Sequence, residues 1–345
     1  MKKIACVAAI AAVAIGLVSS TPDSDSGFER DVRIAGPGGR YTIATRILRP
    51  AGLGPFPAVI LNHGTGADAH ARRAESPQLM RAAALEFVRR GYVVLLPTRS
   101  GFGATGGVLG EDPGSCDDPD YLRGTAAAAD DVLAVYRFAQ RLPFVDGSRL
   151  VLAGQSAGGV VALAAAAREP AGLAAVLAFA AGMGGDTLAH PGEACAPREM
   201  AALFAHLGRR VKAPVLLNYA SNDRWFGEQT SRTWYENLRS GGAPAQYAVL
   251  PAFGADGHFI FTDARGAARW VPQVAEFLRR IGLPFERELP PAARVAPASV
   301  VVMVAVVRQR PHHHHGRRRR VHHGSRLDGN GDAAGQRNGS DQERE

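Results

Sequence analysis

The sequence predicts an α/β protein built on a mostly parallel, doubly wound sheet with helices on both faces. Three observations carry this expectation. Short, continuously apolar runs such as Pro57–Asn62, Tyr92–Pro97 and Leu173–Phe179 have the length of strands buried on both faces. They alternate with longer segments of helical spacing, the order that crossover helices between parallel strands require. A Gly154-Gln155-Ser156-Ala157-Gly158 segment joins one such strand directly to one such helix.

At the start of the chain, Met1-Lys2-Lys3 precedes the apolar stretch Ile4–Val18 and the small residues Ser19 and Ser20. A positive start, a short apolar segment and a small-residue cleavage point read as a secretory signal peptide over residues 1–20. An uncleaved anchor is the alternative, but the stretch is short for a retained membrane helix. Stable membrane insertion is therefore not expected, and the predicted location is periplasmic or secreted.

Asp31–Ile34 and Tyr41–Leu48 read as an antiparallel hairpin. Pro57–Asn62 is the first buried strand, Gln78–Arg90 a helix that stops at Gly91, and Tyr92–Pro97 the second strand. The Ala-rich segment Tyr121–Arg141 is helical in pattern, Arg149–Ala153 is a strand and Ala157–Arg168 a helix. Leu173–Phe179, Pro214–Tyr219 and Gln246–Leu250 are further strands, separated by the helices Pro197–Gly208 and Gly227–Arg239 and followed by Ala267–Ile281. No internal repeat or composition break divides residues 28–285, so one catalytic domain without a large cap is expected there. After Leu289, Pro290-Pro291 breaks the pattern. A brief apolar run, His and Arg runs and a polar end make residues 291–345 a low-complexity, disordered extension.

The net charge of +8 comes from the two ends. Pro291–Glu345 holds ten Arg and five acids, and Lys2 and Lys3 add two charges, which leaves the body at +1. A basic face that tracks phosphates is not supported, so no nucleic-acid partner is expected. Cys6 would leave with the signal peptide. Cys116 and Cys195 then remain as an even pair, which an oxidising compartment permits to form one disulfide.

The chemistry is concentrated in loops at one sheet edge. In its strand-to-helix context, Gly154–Gly158 reads as a nucleophile elbow, with Ser156 held in a tight turn at a helix N-terminus. A serine hydroxyl needs a base. His258, in the loop after the last strand, lies at the same edge as Ser156, whereas His70, His190 and His206 read as surface residues. An acid must orient the imidazole. Asp223 closes the strand Pro214–Tyr219 at that edge, Asp256 is a rival better read as a turn former, and Glu228 is a weaker rival on the following helix. Oxyanion donors are expected from the backbone N–H groups of Ala157 and Thr65, because Gly64 lets the chain turn close to the site. His63 reads as a structural residue at the strand end.

These loops, in the order Ser156, Asp223, His258, resemble the α/β-hydrolase superfamily, within it the dienelactone hydrolase-like and serine esterase branch. The resemblance covers about Phe28–Leu283 and includes Arg99-Ser100-Gly101-Phe102-Gly103 and Gly182-Met183-Gly184-Gly185. Dienelactone hydrolase proper uses a Cys nucleophile in this elbow, where this chain has Ser156. The resemblance therefore implies a Ser-His-Asp serine hydrolase that cleaves small-molecule carboxylic esters through an acyl-enzyme. It implies no metal or organic cofactor. A serine peptidase of the same fold, or a catalytically silent binding protein, is the alternative. The acyl and alcohol parts and the oligomeric state are not encoded in these motifs. In the strand order this fold implies, the loops carrying Cys116 and Cys195 leave one edge about three strand spacings apart, roughly 14 Å. Long loops can close that gap, so a Cys116–Cys195 disulfide strapping the site is expected.

Overall fold

The first strands of the computed structural model, which describes residues 27–66 and 68–285, form the expected hairpin. β1 (Phe28–Ala35) pairs antiparallel with β2 (Thr42–Arg49). Residues 1–20 and 291–345, read above as signal peptide and extension, lie outside the described residues. Then come β3 (Phe56–Asn62), α1 (Ala69–Ala74), α2 (Arg81–Arg89), β4 (Val93–Thr98), α3 (Tyr121–Ala139), β5 (Val145–Gln155) and α4 (Ala157–Ala166). The second half holds β6 (Leu173–Phe179), β7 (Gly185–Asp186), β8 (His190–Ala194), α5 (Pro197–Gly208), β9 (Val215–Ala220), α6 (Glu228–Ser240), β10 (Ala245–Leu250) and α7 (Ala267–Arg280).

Eight strands form one sheet in the order β1-β2-β4-β3-β5-β6-β9-β10. β2 meets β4 antiparallel, and the six strands from β4 to β10 are parallel. The sheet is apolar on both faces because strand residues alternate between two cores. Ala58, Ile60, Leu150 and Leu152 face the core built with α3 to α6, and Val59, Leu61, Val151 and Ala153 face the one built with α2 and α7. Burying each such Val, Leu or Ile stabilises the fold by roughly 1.5–3 kcal/mol. α4 is buried along its whole length, which explains its Ala- and Gly-rich sequence.

The strand order turns back at β3. The chain goes from β3 outward to β4, then returns to lay β5 on the other side of β3. Loops after β3 and β5 therefore diverge from a shared crevice at the C-terminal edge, the place where open α/β sheets bind ligands. Three elements were not read from sequence. α1 has a polar sequence and six residues, and its start depends on Asp68 accepting a hydrogen bond from Ala71 N. β7 and β8 form a small separate antiparallel pair, and Leu188 between them is exposed.

Candidate active site

β5 ends at Gln155, and Ser156 turns the chain into α4 with φ 57° and ψ −127°. An L-residue rarely adopts this backbone, and the cost is of the order of 1–3 kcal/mol. The neighbours hold it there. Ser156 N donates to Phe179 O at 2.9 Å, and Gly159 N donates to Ser156 O at 2.9 Å. Phe179 is itself fixed by stacking on Phe261, centroids 3.8 Å apart, and by Trp270 against its edge. Gly158 lets the helix approach β3, because a Cβ there would overlap the carbonyl oxygens of Asn62 and His63. Ala157 opens α4, so its N–H has no acceptor within the helix.

The loop after β3 runs beside this elbow, since Asn62 is in register with Gly154. A Cβ on Gly64 would lie 2.9 Å from Gln155 Oε1 and 3.3 Å from Ser156 Cβ. A side chain there would have to push the Gln155 amide aside and crowd Ser156, so the glycine lets the Gly64–Thr65 backbone run close to the serine without displacing either.

Asp223 and His258 arrive from two other strand ends. After β9, Asp223 N donates to Ala220 O, and Asp223 Oδ1 accepts from Trp225 N at 2.9 Å and Phe226 N at 3.0 Å. These bonds fix a fully buried carboxylate. His258 lies in the turn Gly257–Phe259 after β10, with Nδ1 3.1 Å from Asp223 Oδ1 and 3.2 Å from Oδ2. The carboxylate fixes the proton on Nδ1, which leaves Nε2 as an acceptor. Trp225 stacks on the imidazole at 5.2 Å, and Phe226 and Phe259 meet it edge-on at 5.6 and 5.4 Å. Gln155 Nε2 donates to His258 O at 3.1 Å, which ties this turn to the residue before Ser156.

The rival residues have other tasks. Asp256 Oδ1 accepts from His258 N at 3.0 Å and Arg224 N at 3.1 Å, and its Oδ2 accepts from Trp225 Nε1 at 3.1 Å. It joins the two loops without touching the imidazole ring nitrogens. Glu228 opens α6 and pairs with Arg232. His70 and His190 are exposed, on α1 and β8.

His63 is buried, with Nε2 accepting from Arg99 N at 3.1 Å. Burial and the Arg99 guanidinium hold its pKa well below the usual histidine value. Glu111 and Glu75 around it, and the aromatic pair Trp225–Phe226, were not singled out from sequence, and Arg99 entered only as part of the Arg99–Gly103 segment of the resemblance, without a role. The available signal was an arginine ending an otherwise apolar strand, which must find a buried counter-ion.

Cys116 and Cys195 are joined as a disulfide with their Cα atoms 5.6 Å apart. Cys116 lies in the loop after β4, and Cys195 N donates to Gly184 O just after the β7–β8 pair. That pair docks on the Asp223 loop through Gly192 N to Arg224 O and Gly227 N to Gly192 O, both 2.8 Å. Among the described residues, no group of three or more His, Cys, Asp or Glu is placed to hold a metal ion. No helix among them is long and apolar enough to cross a membrane.

Residues 38–202 match the X-Pro dipeptidyl-peptidase (S15) family, a span that includes Ser156 and ends before Asp223 and His258. No curated protein matches the chain. Among solved structures, a candidate dienelactone hydrolase from Klebsiella pneumoniae is 18% identical with a TM-score of 0.51, covering 73% of this chain and 98% of that one. An acylaminoacyl peptidase from Pyrococcus horikoshii is 16% identical with a TM-score of 0.51, covering 77% of this chain and 43% of that one. A puromycin-hydrolyzing peptidase from Mycobacterium tuberculosis is 17% identical with a TM-score of 0.50, covering 77% and 41%. The chain thus spans nearly all of the first protein and about two fifths of each peptidase, and the likeness is one of fold.

Proposed function

We propose that this chain, which has the fold of the α/β-hydrolase superfamily, is an exported serine hydrolase that cleaves carboxylic esters. The observation that carries the reading is the pairing of His258 Nδ1 with the buried Asp223 carboxylate at 3.1 Å, in a turn tied through Gln155 to the strained Ser156. Ser156 attacks the substrate carbonyl while His258 Nε2 takes its proton. Asp223 keeps the imidazole in the tautomer that can accept it and stabilises the imidazolium that forms. The N–H groups of Ala157 and Thr65 receive the oxyanion of the tetrahedral intermediate. The imidazolium then protonates the leaving alcohol. Water, activated by the same His258, releases the acid from the acyl-enzyme.

Export rests on the Met1–Ser20 pattern and is supported by the disulfide. Residues 28–285 form the catalytic domain in this reading. The S15 match favours one second reading, a peptidase on the same machinery. A parallel screen of p-nitrophenyl esters of graded acyl length and of peptide p-nitroanilides separates them. Turnover of esters alone supports the esterase. Faster turnover of dipeptidyl anilides supports the peptidase, and no turnover of either in a folded protein contradicts both.

A further inference from the structure

Behind the Gly64–Thr65 backbone lies a buried polar cluster that the chemistry above does not use. Arg99 follows β4 directly, its side chain has no solvent exposure, and Glu111 opposite it is 3% exposed. The pair is bidentate, with Arg99 Nε to Glu111 Oε2 at 2.5 Å and Nη2 to Oε1 at 2.9 Å. Two of the three remaining guanidinium hydrogens point at backbone carbonyls. Nη1 donates to His63 O at 2.8 Å and Nη2 to Gly64 O at 3.3 Å. His63 adds a third donor. Its Nε2 accepts from Arg99 N, so the neutral ring carries its proton on Nδ1, which lies 2.6 Å from Gly64 O. Phe102 closes the cluster, with its ring 4.8 Å from the His63 ring and 5.4 Å from the Arg99 guanidinium carbon.

The geometry of one peptide plane turns this cluster into a device. Gly64 C=O and Thr65 N–H belong to the same peptide unit, and that unit is trans. In a trans peptide the carbonyl and the N–H point in opposite directions. Pinning Gly64 O from the Arg99–His63 side therefore aims Thr65 N–H away from that cluster, in a stretch of backbone where a Cβ on Gly64 would lie 3.3 Å from Ser156 Cβ. A planar guanidinium held rigidly by a carboxylate suits this task. Its five hydrogens leave the fork in fixed directions, and Glu111 balances its charge away from water.

We infer that Arg99, locked by Glu111, is a positioning residue that orients the Gly64–Thr65 peptide for oxyanion binding. This rests on the serine-hydrolase reading above. It makes a specific demand on kinetics: the defect on losing Arg99 must appear in the transition state and not in substrate binding.

The test uses the full chain with Arg99→Lys, which keeps a charge for Glu111 but loses the planar fork. Deleting one oxyanion donor outright costs about 10²–10³ in kcat, and misaiming it should cost less, about ten- to hundredfold. The expected result is that loss in kcat with KM within about twofold. A trifluoromethyl ketone, which forms a tetrahedral adduct on the serine, loses affinity in step with kcat/KM, whereas a carboxylate product keeps its affinity. Unchanged kcat and adduct affinity in a folded variant, or a rise in KM alone, overturns the assignment. If Arg99→Lys does not fold, the double variant Arg99→Met with Glu111→Met removes both charges together and is read the same way. Absence of a cooperative melt in both variants assigns the pair to folding and overturns the positioning role. A wild-type chain that takes no fluorophosphonate at Ser156 overturns both readings. Labelling and turnover that are equal in wild type and Arg99→Lys overturn this one alone.

Discussion

Neutralising Asp223 and neutralising Asp256 should have very different consequences, although both carboxylates sit beside His258 in the same loop cluster. In Asp223→Asn, the side-chain oxygen can still accept from Trp225 N and Phe226 N, so the local turn survives. The amide nitrogen then faces His258 Nδ1, about 3 Å away, where the carboxylate oxygen stood. Oδ1 stays an oxygen 3.1 Å from Nδ1, but a donor 3.2 Å away on the other side disfavours the Nδ1–H tautomer and shifts the imidazole proton toward Nε2, the atom that must take the proton from Ser156. Wrong-tautomer losses of this kind are on the order of 10⁴ in kcat, about 5.5 kcal/mol. In Asp256→Asn, one oxygen can still serve His258 N and Arg224 N, and only the bond from Trp225 Nε1 is replaced by two opposed donors. Losing one such bond costs about 1 kcal/mol, at most a fewfold change in rate. Initial rates on a p-nitrophenyl ester, with melting curves to show both variants folded, measure the difference. A greater loss in Asp256→Asn than in Asp223→Asn would refute the assignment of the orienting acid.

Three further expectations follow from the packing. Gly158→Ala puts a methyl group into the Asn62 and His63 carbonyls, both backbone, and should destabilise the protein by at least about 3 kcal/mol or prevent folding; a melting temperature within 2–3 °C of wild type, roughly the shift that 1 kcal/mol causes, would contradict the close helix approach. Burial raises the Glu75 carboxyl from its ordinary 4.5 to about 7, so stability present below pH 4.5 is lost as pH rises through 7, by at most about 3 kcal/mol. Glu75→Gln should therefore melt higher than wild type at pH 8 and close to it near pH 4.5, and an equal difference at both pH values would show that Glu75 titrates normally. The Cys116–Cys195 disulfide closes 79 residues, so the double Ser variant should lose about 2–4 kcal/mol, read by urea unfolding; unchanged stability would mean that the two loops are held without it.

The sheet was legible because its strands announce themselves. Val93–Thr98 and Val215–Ala220 are buried at every position and must be covered on both sides, which no helix of six residues or exposed hairpin could satisfy. Ser156 stood out because its motif joined one of these strands to a helix. Asp223, Asp256 and Glu228 were harder to rank, since sequence places all three near one edge and says nothing of which oxygen faces a ring nitrogen. The Arg99 cluster was out of reach for a different reason. Glu111 is separated from Arg99 by a loop without periodicity, and His63 and Gly64 come from another strand end, so only the folded chain brings them together. Likewise, β7 and β8 carry too few residues for alternation to register, yet they dock on the loop that holds Asp223.

The most direct measurement is covalent labelling of the intact protein with a fluorophosphonate, followed by mass spectrometry of the labelled peptide. One equivalent of label is expected, carried on the hydroxyl of Ser156, with loss of ester turnover in proportion to labelling. Ser156→Ala should take no label and lose turnover by a factor on the order of 10⁴–10⁶ while melting like wild type. Label on another residue, or a folded Ser156→Ala variant that still turns over esters at the wild-type rate, would contradict the assignment of Ser156 as nucleophile.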